Sequence, residues 1–267
     1  MAVSSCQNSL LALLMALVFY AIPLSGAQAG SNQSNGVSKF TQQQLTDFSK
    51  KVERAAAAKG ARVFLLARVG RPTEDLPQGI NFTHVGIAVY RKIKTDSGKV
   101  VPGYVVHNLY IDDERAGKSK LINDFAFNFF AGATELKAGI LVPDIKLQKR
   151  LYELVNSEVY ASLHNDNYST LSNPDNSQYQ NCTEFVLDVM NAAIYKTTDI
   201  AQIKANTRAY FEPTLIKESR LKLVLGAAFI DHIEIDDHKE KVFTATFGSI
   251  QRYMQQYGLV SHTQIIH

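Results

Sequence analysis

Residues 82–91 (FTHVGIAVYR) alternate with a period that a strand satisfies and a helix does not. Thr83, Val85, Ile87 and Val89 fall on one face, which suits a core, and Phe82, His84, Gly86 and Ala88 fall on the other. Beyond His84 that second face is nearly bare, so another element can approach closely over Gly86 and Ala88. Turn chemistry at 95–98 (TDSG) and a second apolar run at 103–111 (GYVVHNLYI) make the strand half of an antiparallel hairpin. A turn centred near Ser97 sets His84 opposite about residue 110 and brings His107 within a diagonal step. Asn108 has the opposite parity to His107, so only one of the two can serve His84.

Other elements follow along the chain. Thr41 caps a helix with Leu45, Phe48, Val52 and Ala55 at helical spacing, and Gly60 stops it. Residues 62–69 (RVFLLARV) read as a buried strand, and the two prolines in 70–79 as a loop. The aromatic-rich stretch 121–130 reads as a helix, and 137–142 as a strand ended by Pro143. Asp144 caps a helix with Leu147, Leu151, Leu154, Val155 and Val159 on its apolar stripe. An Asn-, Asp- and Ser-rich loop at 164–180 leads to a helix beginning at Asn-Cys-Thr-Glu-Phe-Val (181–186). Helical pattern recurs at 199–210 and 214–225, a strand pair at 228–235 and 241–247, and a short helix ends near Tyr257. The expected class is α+β, with an antiparallel sheet packed against the cysteine-bearing helix and extra helices around it.

The first 29 residues stand apart. An apolar run at 10–24 (LLALLMALVFYAIPL) is followed by Ser25-Gly26-Ala27-Gln28-Ala29, the pattern of a secretory signal peptide. Cleavage fits after Ala29 and nearly as well after Ala27. The segment before the run carries no Lys or Arg, which departs from that pattern. The other reading is an uncleaved anchor helix, but the run is shorter than the roughly 20 residues needed to span a membrane. Residues 30–40 read as a flexible linker, and 41–260 as one domain with its core at 62–195 and a C-terminal extension at 196–267. The expected location is therefore periplasmic or secreted, with no transmembrane segment in the mature chain.

A net charge of +3 spread over 267 residues signals no nucleic-acid partner. The chain has two cysteines, and Cys6 leaves with the signal peptide. Cys182, alone in an oxidising compartment, is either a small buried apolar residue or a working thiol. In the first turn of a helix it meets unpaired N–H groups and the positive end of the helix dipole, both of which favour the thiolate. Asn181 and Glu184 form a capping-box-like pair at that helix start. A histidine in reach would supply the base and acid that acyl transfer needs. Asp231-His232 and Asp236-Asp237-His238 lack a third ligand at zinc spacing, so no metal is expected, and no cofactor.

Thr83-His84-Val85-Gly86-Ile87, followed by Asn181-Cys182-Thr183-Glu184-Phe185-Val186, resembles the circularly permuted papain-like fold of the NlpC superfamily. In its lecithin-retinol-acyltransferase-like branch the histidine strand precedes the cysteine helix. The whole mature chain is similar to an uncharacterised bacterial family, domain of unknown function 2145. The resemblance implies Cys182 as nucleophile, His84 as general base and His107 as the residue orienting the imidazole. It also implies Tyr168 as an oxyanion donor, with Tyr179 a competing choice. The implied activity is that of a cysteine-dependent hydrolase or acyltransferase acting on an amide, peptide or ester carbonyl through an acyl-enzyme. A cell-wall peptide or a lipid-derived acyl group would be its substrate. The alternative is a catalytically inactive binding module of the cell envelope.

Overall fold

The computed structural model describes residues 38–94, 98–218 and 232–267. Six strands form one antiparallel sheet: β1 (Val63–Val69), β2 (His84–Lys94), β3 (Val100–Ile111), β4 (Ser119–Phe125), β5 (Glu135–Pro143) and β8 (Val260–Ile266). Their spatial order is β4-β3-β2-β1-β5-β8, and β6 (Thr214–Leu215) pairs with β7 (Phe243–Thr244) in a separate two-stranded ribbon. β1 lies between β2 and β5 and is buried at every position. Helices cover both its faces, which is why it reads as an unbroken apolar run.

Six helices complete the described residues: α1 (Gln42–Ala58), α2 (Ala126–Ala131), α3 (Ile145–Val155), α4 (Cys182–Tyr195), α5 (Ile200–Tyr210) and α6 (Phe247–Gln256). On one side of the sheet, Leu65, Val85, Ile87 and Val89 share a core with α3, α4 and α6. On the other, Phe64, Leu66, Ala88 and Val106 share a second core with α1 and α2. Residues 182–193 of α4 are all buried, so it is a core helix on every side. Its full burial of Phe185, Val186, Val189 and Met190 contributes about 1.5–3 kcal/mol per side chain.

Helix starts follow local chemistry. Thr41 and Gln44 form a reciprocal capping box on α1, Asp144 caps α3 through the Lys146 and Leu147 amides, and Asp199 caps α5. Four stretches depart from their sequence pattern: of the strand pair expected at 228–235 and 241–247, residues 232–235 are not strand, and only Phe243–Thr244 is, paired with Thr214–Leu215. Residues 121–130 divide into the end of β4 and α2, because pairing with β3 from Val105–Phe125 to Ile111–Ser119 satisfies the backbone as an edge strand. Val159 leaves the α3 stripe: the helix stops at Val155, and Val159 is exposed in a 3₁₀ turn (Glu158–Leu163). Thr214 and Leu215, read as the start of a helix, are strand β6. The remainder of 214–225 from 219 onward, residues 228–231 and the turn residues 95–97 lie outside the described residues, and so do residues 1–29. The sheet also gains β8, which had no strand reading and pairs along β5 from Ala138–Ile266 to Pro143–Val260.

Candidate active site

Cys182 is the first residue of α4, with Asn181 as the N-cap. The Asn181 side-chain oxygen accepts from the Thr183 and Glu184 amides at 3.0 and 2.9 Å. The reciprocal half of a capping box is absent. The Asn181 amide donates to Ser172 Oγ at 3.0 Å, while the Glu184 carboxylate accepts from Ser172 Oγ at 2.5 Å and from Lys204 Nζ at 2.6 Å. Lys204 also donates to Asp188. Burial works against the Lys204 ammonium, and the Asp188 and Glu184 carboxylates overcome it and hold the amine protonated. A cavity lined in part by His164, Gln180, Glu184, Asp188 and Lys204 adjoins this cluster; neither Cys182 nor His84 lines it.

α4 does not approach over Gly86 and Ala88, as their small size suggested. It packs on the Val85, Ile87 and Val89 side of β2. The room at Gly86 is taken by β3: a Cβ there would lie 2.5 Å from Asn108 Oδ1 and 2.8 Å from Val106 Cγ1. The bare position exists so that the Asn108 side chain can pass and reach the imidazole. His84 Nε2 lies 3.2 Å from Asn108 Oδ1. The amide orientation follows from its other end, where Nδ2 donates to the Val106 carbonyl at 3.0 Å. His84 therefore carries its proton on Nε2, leaving a lone pair on Nδ1, and Nδ1 is buried with no hydrogen-bond partner. The ring stacks on Tyr110 at 4.7 Å and 8° and leans on Phe129 at 5.4 Å.

The thiol meets β2 at the backbone of this same residue. Cys182 Sγ lies 3.9 Å from the Thr83 carbonyl oxygen. Sulfur thus sits at the peptide group that leads into His84. The pairing of β2 with β3 runs from Ile87–His107 to Lys94–Val100, so residues 84–86 lie outside that ladder. The other contact of the thiol is Thr183 Oγ1 at 3.8 Å; Sγ and the imidazole are not hydrogen-bonded to each other.

The electrostatics run against a resting thiolate. Burial pushes the Cys182 thiol above its ordinary value, against the pull of the Val85 and Thr183 hydrogen bonds and the Arg68 guanidinium. Desolvation of a sulfur that is 3 % exposed outweighs the helix dipole, an effect of about 1 kcal/mol. Burial, and then the Arg68 guanidinium, hold the His84 imidazole well below 6.5, with the Asn108 hydrogen bond opposing them. Burial thus pushes both groups toward their neutral forms, thiol and imidazole.

His107, the expected orienting residue, is not at His84. Its parity puts it on the α4 side of the sheet, where Arg91 Nη2 donates to its Nε2 at 3.0 Å and Tyr160 meets its ring edge-on at 5.7 Å. Burial, and then Arg91, push its imidazole down to about 4. The residue that holds His84 is Asn108. The signal in the sequence was the parity rule itself together with Gly86. Tyr168 is buried, its amide bonded to the Gly117 carbonyl at 2.9 Å and its ring edge-on to His232 at 6.2 Å. Tyr179 lies at the cavity beside Lys204, with Gln178 and Asp236 as its polar neighbours. Among the described residues no group of three or more His, Cys, Asp or Glu side chains is arranged to hold a metal ion. His238 accepts no such role: its Nε2 meets the Leu171 carbonyl at 2.7 Å. No described helix is long and apolar enough to cross a membrane.

Fold and site together define a mixed α+β protein whose antiparallel sheet packs against a helix opening on a buried cysteine. The family model for an uncharacterized protein conserved in bacteria (DUF2145) matches residues 55–254, and the chain belongs to that family. No curated protein and no solved structure is matched.

Proposed function

We propose that this chain is an exported cysteine-dependent hydrolase or acyltransferase with a permuted papain-like, NlpC-type fold. The observation that carries the reading is the seating of Cys182 Sγ against the Thr83 carbonyl next to His84 while Asn108 holds Nε2 and leaves Nδ1 without a hydrogen-bond partner. That is the division of labour of a Cys-His-Asn site. His84 Nδ1 takes the thiol proton as sulfur attacks the carbonyl carbon, and returns it to the leaving group as the tetrahedral intermediate collapses. The Cys182 amide, in the first turn and so without an intrahelical acceptor, offers one oxyanion donor. Tyr168 is the second donor in this reading. Water or another nucleophile then releases the acyl group. Amides or peptides of the cell wall and lipid-derived acyl esters are the substrate classes such a site would take.

A second reading, a non-catalytic binding module of the envelope, is favoured by burial: Cys182 is 3 % and His84 0 % exposed. Incubation with activated acyl esters and envelope extracts, followed by intact-mass and peptide mapping, separates the two. The catalytic reading expects an acyl mass on Cys182 that turns over, and that His84→Ala fails to accumulate. Acyl hydrolysis that persists in Cys182→Ser, or a Cys182 that never acylates, would leave the binding module.

A further inference from the structure

Arg68 is the largest of the fully buried side chains among the described residues, 1 % exposed. Across the β1–β2 ladder its direct partner is His84. Its guanidinium sits 5.5 Å from the Phe129 ring and 6.0 Å from the Tyr110 ring, the two rings that also flank the imidazole. The backbone makes way for it: a Cβ on Gly132 would overlap Nη1, with Cζ at 2.8 Å and Nη2 at 3.0 Å. Among the described residues, the titratable groups in its field include His84 on β2, Tyr110 on β3, Asp124 on β4 and Cys182 at the start of α4. α2 contributes only Phe129 and the gap at Gly132.

We propose that Arg68 is a positioning residue that adds to burial in keeping the His84 imidazole uncharged and stands as a cation toward negative charge developing on the Cys182 sulfur. In thiol sites where the imidazolium is the resting counter-charge, the base is already spent. Here the standing cation is a group that does not lose its proton, so His84 stays available as a base at Nδ1. The directions agree with the placement: the guanidinium draws the thiol down and pushes the imidazole down. The inference rests on the Cys182–His84 site just described, but its test needs no substrate.

The experiment titrates both groups in full-length protein carrying Cys6→Ser, following Cys182 by thiolate ultraviolet absorbance and His84 by ring NMR. Arg68→Met should raise both values together, each by about one unit, a tenfold change in protonation. Arg68→Lys should hold both near the wild-type values. A merely structural role moves them apart. Solvent let into the site raises a buried histidine toward its free value and lowers a buried cysteine. Opposite shifts in Arg68→Met, or no shift of the cysteine, overturn the proposal. If Arg68→Met does not fold, Gly132→Ala decides, because its methyl displaces the guanidinium without removing the charge. A joint upward shift then supports the proposal, and unmoved or opposed values overturn it. Loss of Cys182 acylation with unchanged titrations would count against Arg68 and leave the catalytic reading standing.

Discussion

Asn108 Oδ1 reaches His84 Nε2 at 3.2 Å across the gap left by Gly86, one residue along β3 from the histidine that the sequence nominates for the same task. The difference of one residue is a difference of sheet face. His107 spends its imidazole on Arg91 and Tyr160 on the α4 side. Asn108 Oδ1 accepts from the neutral tautomer and so leaves Nδ1, buried and without a hydrogen-bond partner, as the nitrogen that carries the lone pair.

Asn108→Ala should therefore slow acylation of Cys182 by about tenfold or more, the scale of lost base orientation. Gly86→Ala should reproduce much of that defect, because its Cβ would press on Oδ1 at 2.5 Å. His107→Ala should change the rate by no more than a few-fold. Single-turnover acylation with an activated ester measures all three. A larger defect in His107→Ala than in Asn108→Ala would reverse the assignment.

The resting thiol should titrate above an ordinary cysteine, since burial raises it. Alkylation of Cys182 by iodoacetamide should be slow near neutral pH and climb only on the alkaline side. A reactive thiolate already present at pH 7 would mean that the working conformation opens the site to water.

Acid should destabilise the fold well before its carboxylates titrate. His84, His107 and His164 are all held below their unfolded value of about 6.5, with burial the leading cause in each. The unfolded chain binds more protons than the native one below that pH. Stability is thus full above about pH 6.5 and falls as pH drops toward the folded values. For His107, pushed down to about 4, the loss amounts to about 3 kcal/mol once both states are protonated. Urea midpoints between pH 7 and 4 should fall steeply, and His107→Gln should flatten the slope. An unchanged slope in that variant would remove His107 from the account.

Lys204→Met should destabilise the protein by about 3–5 kcal/mol, because it strands two carboxylates that are almost fully buried beside it. Replacing Glu184, Asp188 and Lys204 together with apolar residues of similar volume should cost far less than the single change. Chemical denaturation of the two variants makes the comparison. Equal losses would mean that the cluster's other hydrogen bonds, to Ser172 and Gln180, dominate.

Much of the frame was legible because it is local. Caps at Thr41, Asp144 and Asn181 act within one turn, and the period-2 alternation separated the Val85, Ile87 and Val89 side of β2 from the Ala88 side, while Phe82, read onto the Ala88 side, precedes the strand and packs with Val85 and Ile87. The hairpin register was also in reach: β2 and β3 pair Ile87 with His107, which continues to His84 beside Tyr110. Alternation says which residues share a face and nothing about which layer covers it. Only the packed structure put α4 over Val85 and Ile87, gave the space at Gly86 to Asn108, and made 119–125 and 260–266 edge strands by offering them β3 and β5 as partners. The ionisation of Cys182 was decided at the same level. A helix start favours the thiolate through groups a few residues away, whereas desolvation depends on everything that closes over the sulfur, and at 3 % exposure the distant part of the chain wins.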